Sequence, residues 1–121
     1  MKNYIEIRPW GKFEVVYEND TEENDNNFKI KKITVNPGEQ LSIQRHKHRD
    51  EIWTITEGFG SAMLEGEWRK LVPGTVVKIP SGTLHSVKAD PEHTLIFVEV
   101  QLGDYLGEDD IERISDKYGR K

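Results

Sequence analysis

The chain has 121 residues, a formal net charge of −5 at neutral pH and no cysteine. This length predicts a single domain over residues 1–121, and the lack of cysteine excludes disulfides and thiolate metal ligands. An acidic chain is repelled by nucleic-acid phosphates, so we expect no nucleic-acid partner, although a local basic patch can still bind a small anion. No stretch is long and apolar enough to span a bilayer and no signal peptide is evident, so we expect a cytoplasmic protein without membrane association.

Short apolar segments, rich in β-branched and aromatic residues, alternate with Gly, Pro, Asn and Asp along the chain. This pattern predicts an all-β barrel or sandwich. The polar run at 18–27 is interpreted as a solvated hairpin connection, and Glu65-Gly66 as a tight hairpin turn. We predict nine strands, at Phe13–Tyr17, Phe28–Val35, Leu41–His46, Ile52–Glu57, Ser61–Leu64, Glu67–Leu71, Val76–Ile79, Leu84–Lys88 and Leu95–Leu102.

A short helix is predicted after the last strand. Acidic residues follow Gly107, where the N-terminus of a helix favours negative charge. Ile111, Ile114 and Tyr118 then recur at helical spacing. We therefore expect one C-terminal helix packed on the barrel.

Two segments carry a possible metal site and use three of the four histidines. In an extended strand His46 and His48 project from the same face, and Glu51 follows. In the second segment, a Pro-Ser-Gly turn precedes His85 and can bring it to the same place. We predict that His46, His48, Glu51 and His85 bind one divalent metal ion. These ligand types suit Zn, Fe, Mn, Ni or Co without choosing among them, and paired histidines on a strand also occur by chance.

The two segments resemble the signature motifs of the cupin superfamily, small antiparallel barrels with a metal in the mouth. Seven residues separate Gly38 from His46, where the motif usually has five. Longer matches resemble type II mannose-6-phosphate isomerases, in which this domain usually forms the C-terminal part of a bifunctional mannose-1-phosphate guanylyltransferase. The matches span residues 7–120 and comprise Arg8–Glu14, Pro37–Trp53, Gly103–Ile111 and Asp116–Arg120.

This resemblance implies a cupin double-stranded β-helix, or jelly-roll barrel, and interconversion of mannose 6-phosphate and fructose 6-phosphate. The nucleotide-binding half of the bifunctional proteins has no counterpart here, so we expect no guanylyltransferase activity from this chain. The isomerisation needs a base, stabilisation of an enediolate and a ligand for the phosphate.

The base is assigned to Glu99, which shares a strand face with Gln101. Burial in the barrel would raise the pKa of this carboxyl group. A rim glutamate paired with a lysine is the alternative interpretation of Glu99. Gln101 and Gln44 are predicted substrate contacts, and Gln44 is also a possible metal ligand because it shares a face with the histidines. Arg49, matching the arginine of the family's His-x-His-Arg motif, is the predicted catalytic and phosphate-binding residue, assisted by Lys78.

Alternative functions stay open at this level. Ile52 and Ser86 stand where type II isomerases commonly have His and Arg, which leaves room for a different substrate. The alternatives are a metallocupin of another activity, such as a dioxygenase or an epimerase, and a non-catalytic sugar-binding module. Leu41 and Ile43 alternate with polar residues, so their face needs a cover, either the N-terminal segment or a second subunit. We therefore predict a homodimer.

Overall fold

The structure is a computed structural model that describes residues 4–19, 27–116 and 119. Within these residues the chain forms eleven strands and no helix, which confirms the predicted all-β class. Each of the nine predicted strands overlaps an observed one. The observed strands are β1 (Tyr4–Arg8), β2 (Gly11–Asn19), β3 (Asn27–Val35), β4 (Ile43–Arg45), β5 (Arg49–Glu57), β6 (Gly60–Leu64), β7 (Glu67–Leu71), β8 (Val76–Ile79), β9 (His85–Ala89), β10 (Leu95–Gly103) and β11 (Glu112–Ser115).

The strands form two antiparallel sheets that enclose one barrel. One sheet has the order β1-β2-β3-β10-β5-β8 and the other β11-β4-β9-β6-β7. Apolar side chains from both sheets meet in a single core, in which Val35, Leu71, Val87 and Phe97 are inaccessible to solvent. Several neighbours in each sheet are distant in sequence, as in a jelly roll. Among the described residues, no helix is long and apolar enough to span a membrane.

The barrel interior changes from apolar to polar along three neighbouring strands. On β10, Leu95 and Phe97 are buried at one end, and Glu99 and Gln101 are buried at the other. The neighbouring strands β3 and β5 change in the same direction. Glu99 is paired with Lys31 on β3 and with Trp53 on β5. Gln101 is paired with Lys29 on β3 and with Glu51 on β5. The polar end is where a site can form, because buried charges need partners there.

The predicted C-terminal helix is wrong over the described residues. Glu112–Ser115 is a strand that pairs antiparallel with β4, with Arg113 opposite Gln44. The edge of β4 offers unpaired backbone groups, whereas a helix this short is marginal without extensive packing. Tyr118, part of the expected helical face, lies outside the described residues.

Two further expectations concern local structure. The turn at Glu65-Gly66 is confirmed, since both residues have positive φ, 48° and 88°, as a two-residue hairpin between β6 and β7 requires. Leu41 precedes β4 and packs against the core, so it needs no external cover. The polar connection expected at 18–27 falls mainly on residues outside the described ranges.

Candidate active site

Three side chains that could hold a metal ion meet at the polar end of the barrel. His46 follows β4, Glu51 lies on β5 and His85 begins β9. Their ligand atoms all lie within 4.8 Å of one another, and all three residues are buried. The fold therefore brings the segment with His46 and Glu51 next to the segment with His85, as the sequence predicted.

Both imidazoles are oriented by backbone carbonyl groups. His46 Nδ1 lies 2.7 Å from the carbonyl oxygen of Asp110, and His85 Nδ1 lies 2.9 Å from that of Thr83. Because a carbonyl oxygen only accepts, each Nδ1 carries the proton and donates it. Each Nε2 thereby keeps a lone pair that faces Glu51. His46 Nε2 lies 3.1 Å from Glu51 Oε2, and His85 Nε2 lies 3.9 Å from Glu51 Oε1.

The protonation states of the cluster favour cation binding. Burial lowers the pKa of His85, which keeps its imidazole neutral. Burial alone would raise the pKa of Glu51, but its contacts with His46 and the charge of Arg49 hold that pKa well below its usual range. Imidazole nitrogens and a carboxylate are the donor types found in sites for Zn and similar metals. The donor set therefore fits a divalent metal ion.

Arg49 lies against this cluster. Its Nε donates to Glu51 Oε2 at 2.9 Å, and its Nη2 lies 2.8 Å from the same oxygen and 3.2 Å from His46 Nε2. The residue is buried. Its guanidinium therefore uses the atoms of His46 and Glu51 that a metal ion would use, whereas the sequence assigned it to a phosphate.

His48 is not part of the cluster, contrary to the sequence-based prediction. β4 ends at Arg45 and β5 begins at Arg49, so His46 and His48 lie in a bend where strand alternation does not apply. The His48 side chain is 43% exposed, and its Nδ1 lies 3.5 Å from Asp104 Oδ1.

Gln44 occupies the position expected of a further ligand. It lies on β4 opposite His85 on β9 and lines the same pocket as the cluster. Its Nε2 donates to Ser42 Oγ at 3.0 Å. The five-residue spacing usual after the motif glycine, counted from Gly38, ends at Gln44, and this count could have identified it in place of His48.

Glu99 lies beside the cluster, as the sequence predicted. The indole Nε1 of Trp53 donates to Glu51 Oε1 and to Glu99 Oε1, at 3.0 Å each. The other oxygen of Glu99 accepts from Gln101 Nε2 at 2.8 Å. Burial, together with the negative charge of Glu51, raises the pKa of Glu99 to about 7. A carboxyl group with such a pKa can both accept and donate a proton near neutral pH.

Two predicted substrate contacts lie elsewhere. Lys78 is exposed on β8, between the inward-facing Val77 and Ile79, so its side chain is on the outer face of the sheet. Gln101 is fully buried and does not line the pocket, and its bond to Glu99 makes it a support for that carboxyl group.

Sequence reasoning missed a group of charged side chains on the pocket wall. Lys31 is on the inward face of β3, and Arg8, Arg113 and Glu108 line the same pocket. The sequence does contain a signal for Lys31. Lys29 and Lys31 continue the every-second-residue pattern of Ile33 and Val35 toward the N-terminal end of β3, which places them on the inward face.

The loop between β10 and β11 is tied to the metal-binding segment. Both carboxylate oxygens of Asp110 accept backbone N–H bonds, from Lys47 and His48, at 2.9 Å. Partial burial raises the pKa of Asp110, but these bonds lower it by more, so it lies below its ordinary value. Leu106 anchors the other end of the loop, with a fully buried side chain and a carbonyl oxygen that accepts from Lys29 Nζ at 2.9 Å.

Sequence comparisons identify similar proteins over almost the whole chain. A family model described as Mannose-6-phosphate isomerase C-terminal matches residues 2–116. The chain is 42% identical over 113 residues to the mannose-1-phosphate guanylyltransferase of Salmonella montevideo, covering 93% of this chain and 23% of that protein. It is 38% identical over 120 residues to the alginate biosynthesis protein AlgA of Pseudomonas aeruginosa, covering 98% and 24%. The chain thus spans about a quarter of these relatives.

Solved structures share the fold. KdgF from Halomonas sp. has a TM-score of 0.72 and 21% identity, with 90% of each chain covered. A cupin-2 domain from Rhodospirillum rubrum has a TM-score of 0.67 and 19% identity, with 89% of this chain and 78% of that chain covered. At these identities the likeness shows the cupin fold alone.

Proposed function

Because this chain belongs to the mannose-6-phosphate isomerase C-terminal family of cupin domains, we propose that it is a metal-dependent isomerase that interconverts mannose 6-phosphate and fructose 6-phosphate. The guanylyltransferase activity named for its relatives is not carried over, because the chain matches only about a quarter of their length.

One observation carries the proposal: a carboxyl group suited to proton transfer and a metal-binding cluster share one pocket. Glu99 and Glu51 accept from the same indole N–H of Trp53, so the two carboxyl groups are adjacent. Both residues line the pocket with His46 and His85. An aldose–ketose isomerisation needs these two functions next to each other, because the migrating proton and the oxygens that gain charge belong to neighbouring carbons.

The residues that would hold the metal are His46, Glu51 and His85, with Gln44 as the fourth ligand. A bound divalent cation supplies Lewis-acid stabilisation of the charge that develops on the substrate oxygens O1 and O2. The backbone carbonyl groups of Asp110 and Thr83 keep both Nε2 atoms in the ligand form.

Glu99 performs the proton transfer in this proposal. As a carboxylate it removes the proton from C2 of the aldose. The C–H electron pair forms the C1–C2 double bond, and the C1–O1 π pair moves to O1, which gives an enediolate. The O2 hydroxyl proton then moves to O1, the O2 electron pair forms the C2–O2 carbonyl bond, and the C1–C2 π pair takes the proton back from the protonated carboxyl group at C1, which yields the ketose. Trp53 and Gln101 hold the carboxyl group in place through the bonds already described.

Arg49 contacts the reacting end of the sugar rather than its phosphate in this proposal. Its guanidinium already bonds to Glu51 and reaches His46, at the inner end of the pocket. From there a fixed cation stabilises negative charge on a substrate oxygen.

The test is an isomerase assay with mannose 6-phosphate on protein treated with chelator and then supplied with single metals. We expect activity that depends on the metal. Glu99→Gln should lower kcat by roughly 10²-fold or more at unchanged metal content, since general-base catalysis contributes about that much. Glu57→Gln, on the exposed far end of β5, is the matched control and should keep full activity.

Two results would contradict the proposal. One is stoichiometric metal without isomerase activity for any metal tried, which would favour a metallocupin of another activity. The other is a Glu99→Gln variant as active as the control, which would move the base to another residue.

A further inference from the structure

Lys31 is an unusual residue for the inner face of a barrel strand. Lysine is rarely buried without a partner, yet the Lys31 side chain is only 4% exposed. Its Nζ donates to Glu108 Oε2 at 2.7 Å. It also lies 4.1 Å from the centroid of the Phe13 ring, a distance typical of a cation–π contact.

The partner of Lys31 is far less buried than Lys31 itself. The Glu108 side chain is 42% exposed, and it belongs to the loop between β10 and β11. Leu106 and Asp110 anchor this loop on either side of Glu108, through contacts that do not involve the Glu108 carboxylate. The Glu108 carboxylate also lies 4.0 Å from Lys29 Nζ, at the edge of ion-pair distance. Rotation of the Glu108 side chain toward solvent breaks its contacts with the two lysines and leaves both anchors of the loop in place.

A second cation, carried by β1 on the other side of β2, contacts the ring that Lys31 contacts. The Arg8 guanidinium carbon is 5.4 Å from the centroid of the same Phe13 ring, and both cations line the pocket that holds the metal-binding cluster. That pocket is lined by four cationic side chains and three carboxyl groups. Among these lining side chains, removal of the Glu108 carboxylate leaves two cations in excess, even with Glu51 and Glu99 both ionised. Arg8 also pairs with Glu6 on its own strand.

We propose that Lys31 and Arg8 form an anion subsite for the phosphate of the substrate, and that the Glu108 carboxylate occupies this subsite until the phosphate displaces it. The proposal deepens and rests on the proposed function, because it places the phosphate of a sugar phosphate whose other end reacts beside Glu99. The phosphate is a dianion that takes the place of the Glu108 carboxylate on Lys31. It also accepts hydrogen bonds from the planar guanidinium of Arg8.

Inorganic phosphate is the probe, and its affinity is measured by titration calorimetry on chelator-treated and on metal-loaded protein. Glu108→Gln removes the competing charge at constant size and should tighten phosphate binding on the order of tenfold, about 1.4 kcal/mol. Lys31→Met removes the cation and should weaken binding by at least about tenfold. Glu112→Gln, which alters a surface carboxylate paired with Arg45, should leave phosphate affinity unchanged.

Unchanged phosphate affinity in both Glu108→Gln and Lys31→Met overturns the subsite. If Lys31→Met fails to fold in a thermal melt, Glu108→Gln decides alone, because a gain of affinity is not produced by structural damage at a half-exposed residue. Glu108→Gln should also lower KM for mannose 6-phosphate.

The isomerase assay separates this proposal from the proposed function. Tighter phosphate binding in Glu108→Gln, in a chain without isomerase activity, would support the subsite and contradict the isomerase. Isomerase activity with phosphate affinity and KM unchanged in both variants would contradict the subsite alone.

Discussion

The two buried histidines use their two ring nitrogens differently. Each donates Nδ1–H to a backbone carbonyl group and points Nε2 toward Glu51. The imidazoles are thereby held in the ligand tautomer by the main chain, which side-chain substitutions elsewhere do not remove. The His48 imidazole lacks such an arrangement, since its ring contacts Asp104 and Tyr105 near the surface.

This difference predicts unequal effects of histidine substitutions on metal content. His46→Ala or His85→Ala should abolish stoichiometric metal, because each removes one of three clustered ligands. His48→Ala, the matched control, should keep full metal content. Plasma emission spectroscopy of the purified variants measures this, and equal metal loss in the His46 and His48 variants would refute the assignment.

A metal ion at the candidate cluster would compete with Arg49 for the same electron pairs of His46 and Glu51. The Arg49 guanidinium is the buried counter-charge of Glu51, with Nη2 2.8 Å from Glu51 Oε2. Removal of one partner of a buried ion pair leaves the other charge uncompensated, which costs about 3–5 kcal/mol. A metal cation at the cluster can take over that role.

We therefore expect Arg49→Met to lower the free energy of unfolding of chelator-treated protein by about 3 kcal/mol. Zinc should restore more stability to this variant than it adds to the unaltered chain. Urea denaturation with and without zinc gives both values. An Arg49→Met chain as stable without metal as the unaltered chain would show that Glu51 does not depend on this guanidinium.

Among the elements, two glycines with almost the same backbone conformation have different surroundings. Gly58 and Gly66 have φ of 85° and 88°. A Cβ on Gly58 would lie 1.9 Å from the carbonyl oxygen of Thr94, at the entrance to β10, whereas a Cβ on Gly66 would meet nothing within 4 Å. Gly58 thus allows two chain segments to approach closely, whereas Gly66 is needed only for the positive φ of its turn.

Alanine substitutions should separate these two requirements. Gly66→Ala should cost about 1 kcal/mol of unfolding free energy, the conformational penalty of a positive φ. Gly58→Ala adds a backbone clash and should cost at least about 3 kcal/mol. Chemical denaturation of the two variants provides the measurement. Equal losses would mean that the backbone at Thr94 moves freely to accommodate a methyl group.

For the whole molecule, the predicted homodimer stays a prediction. Of the two residues whose face was expected to need a cover, Leu41 and Ile43, Leu41 packs within its own chain. A different feature supports the homodimer: β1 is an edge strand whose Ile5 and Ile7 are 52% and 75% exposed. An antiparallel edge can pair with its own copy about a two-fold axis.

We expect light scattering to give about twice the 14.0 kDa mass of the chain. Ile7→Lys should shift the chain toward the monomer, since a charge at the edge opposes strand pairing. Lys32→Ala, at an exposed position on the inner strand β3, is the control and should leave the mass unchanged. A monomeric mass for the unaltered chain at high concentration would refute the homodimer.

The sequence by itself determined nine of the eleven described strands and most of the candidate metal cluster. Strands such as Glu67–Leu71 and Val76–Ile79 were predicted with their observed bounds, because a period of two residues is a local property of the chain. His46, Glu51 and His85 followed from motif spacing. Glu99 followed from its position on a strand whose two preceding inward residues, Leu95 and Phe97, are apolar.

Only the tertiary structure decided which residues join that cluster and what surrounds it. The bend after Arg45 separates His48 from His46, and β11 pairs with β4 where local periodicity indicated a helix. Lys31 and Glu108 meet although they are 77 residues apart. Such contacts depend on the paths of loops and on the available sheet edge, which are set by the packing of the whole barrel and not by local periodicity.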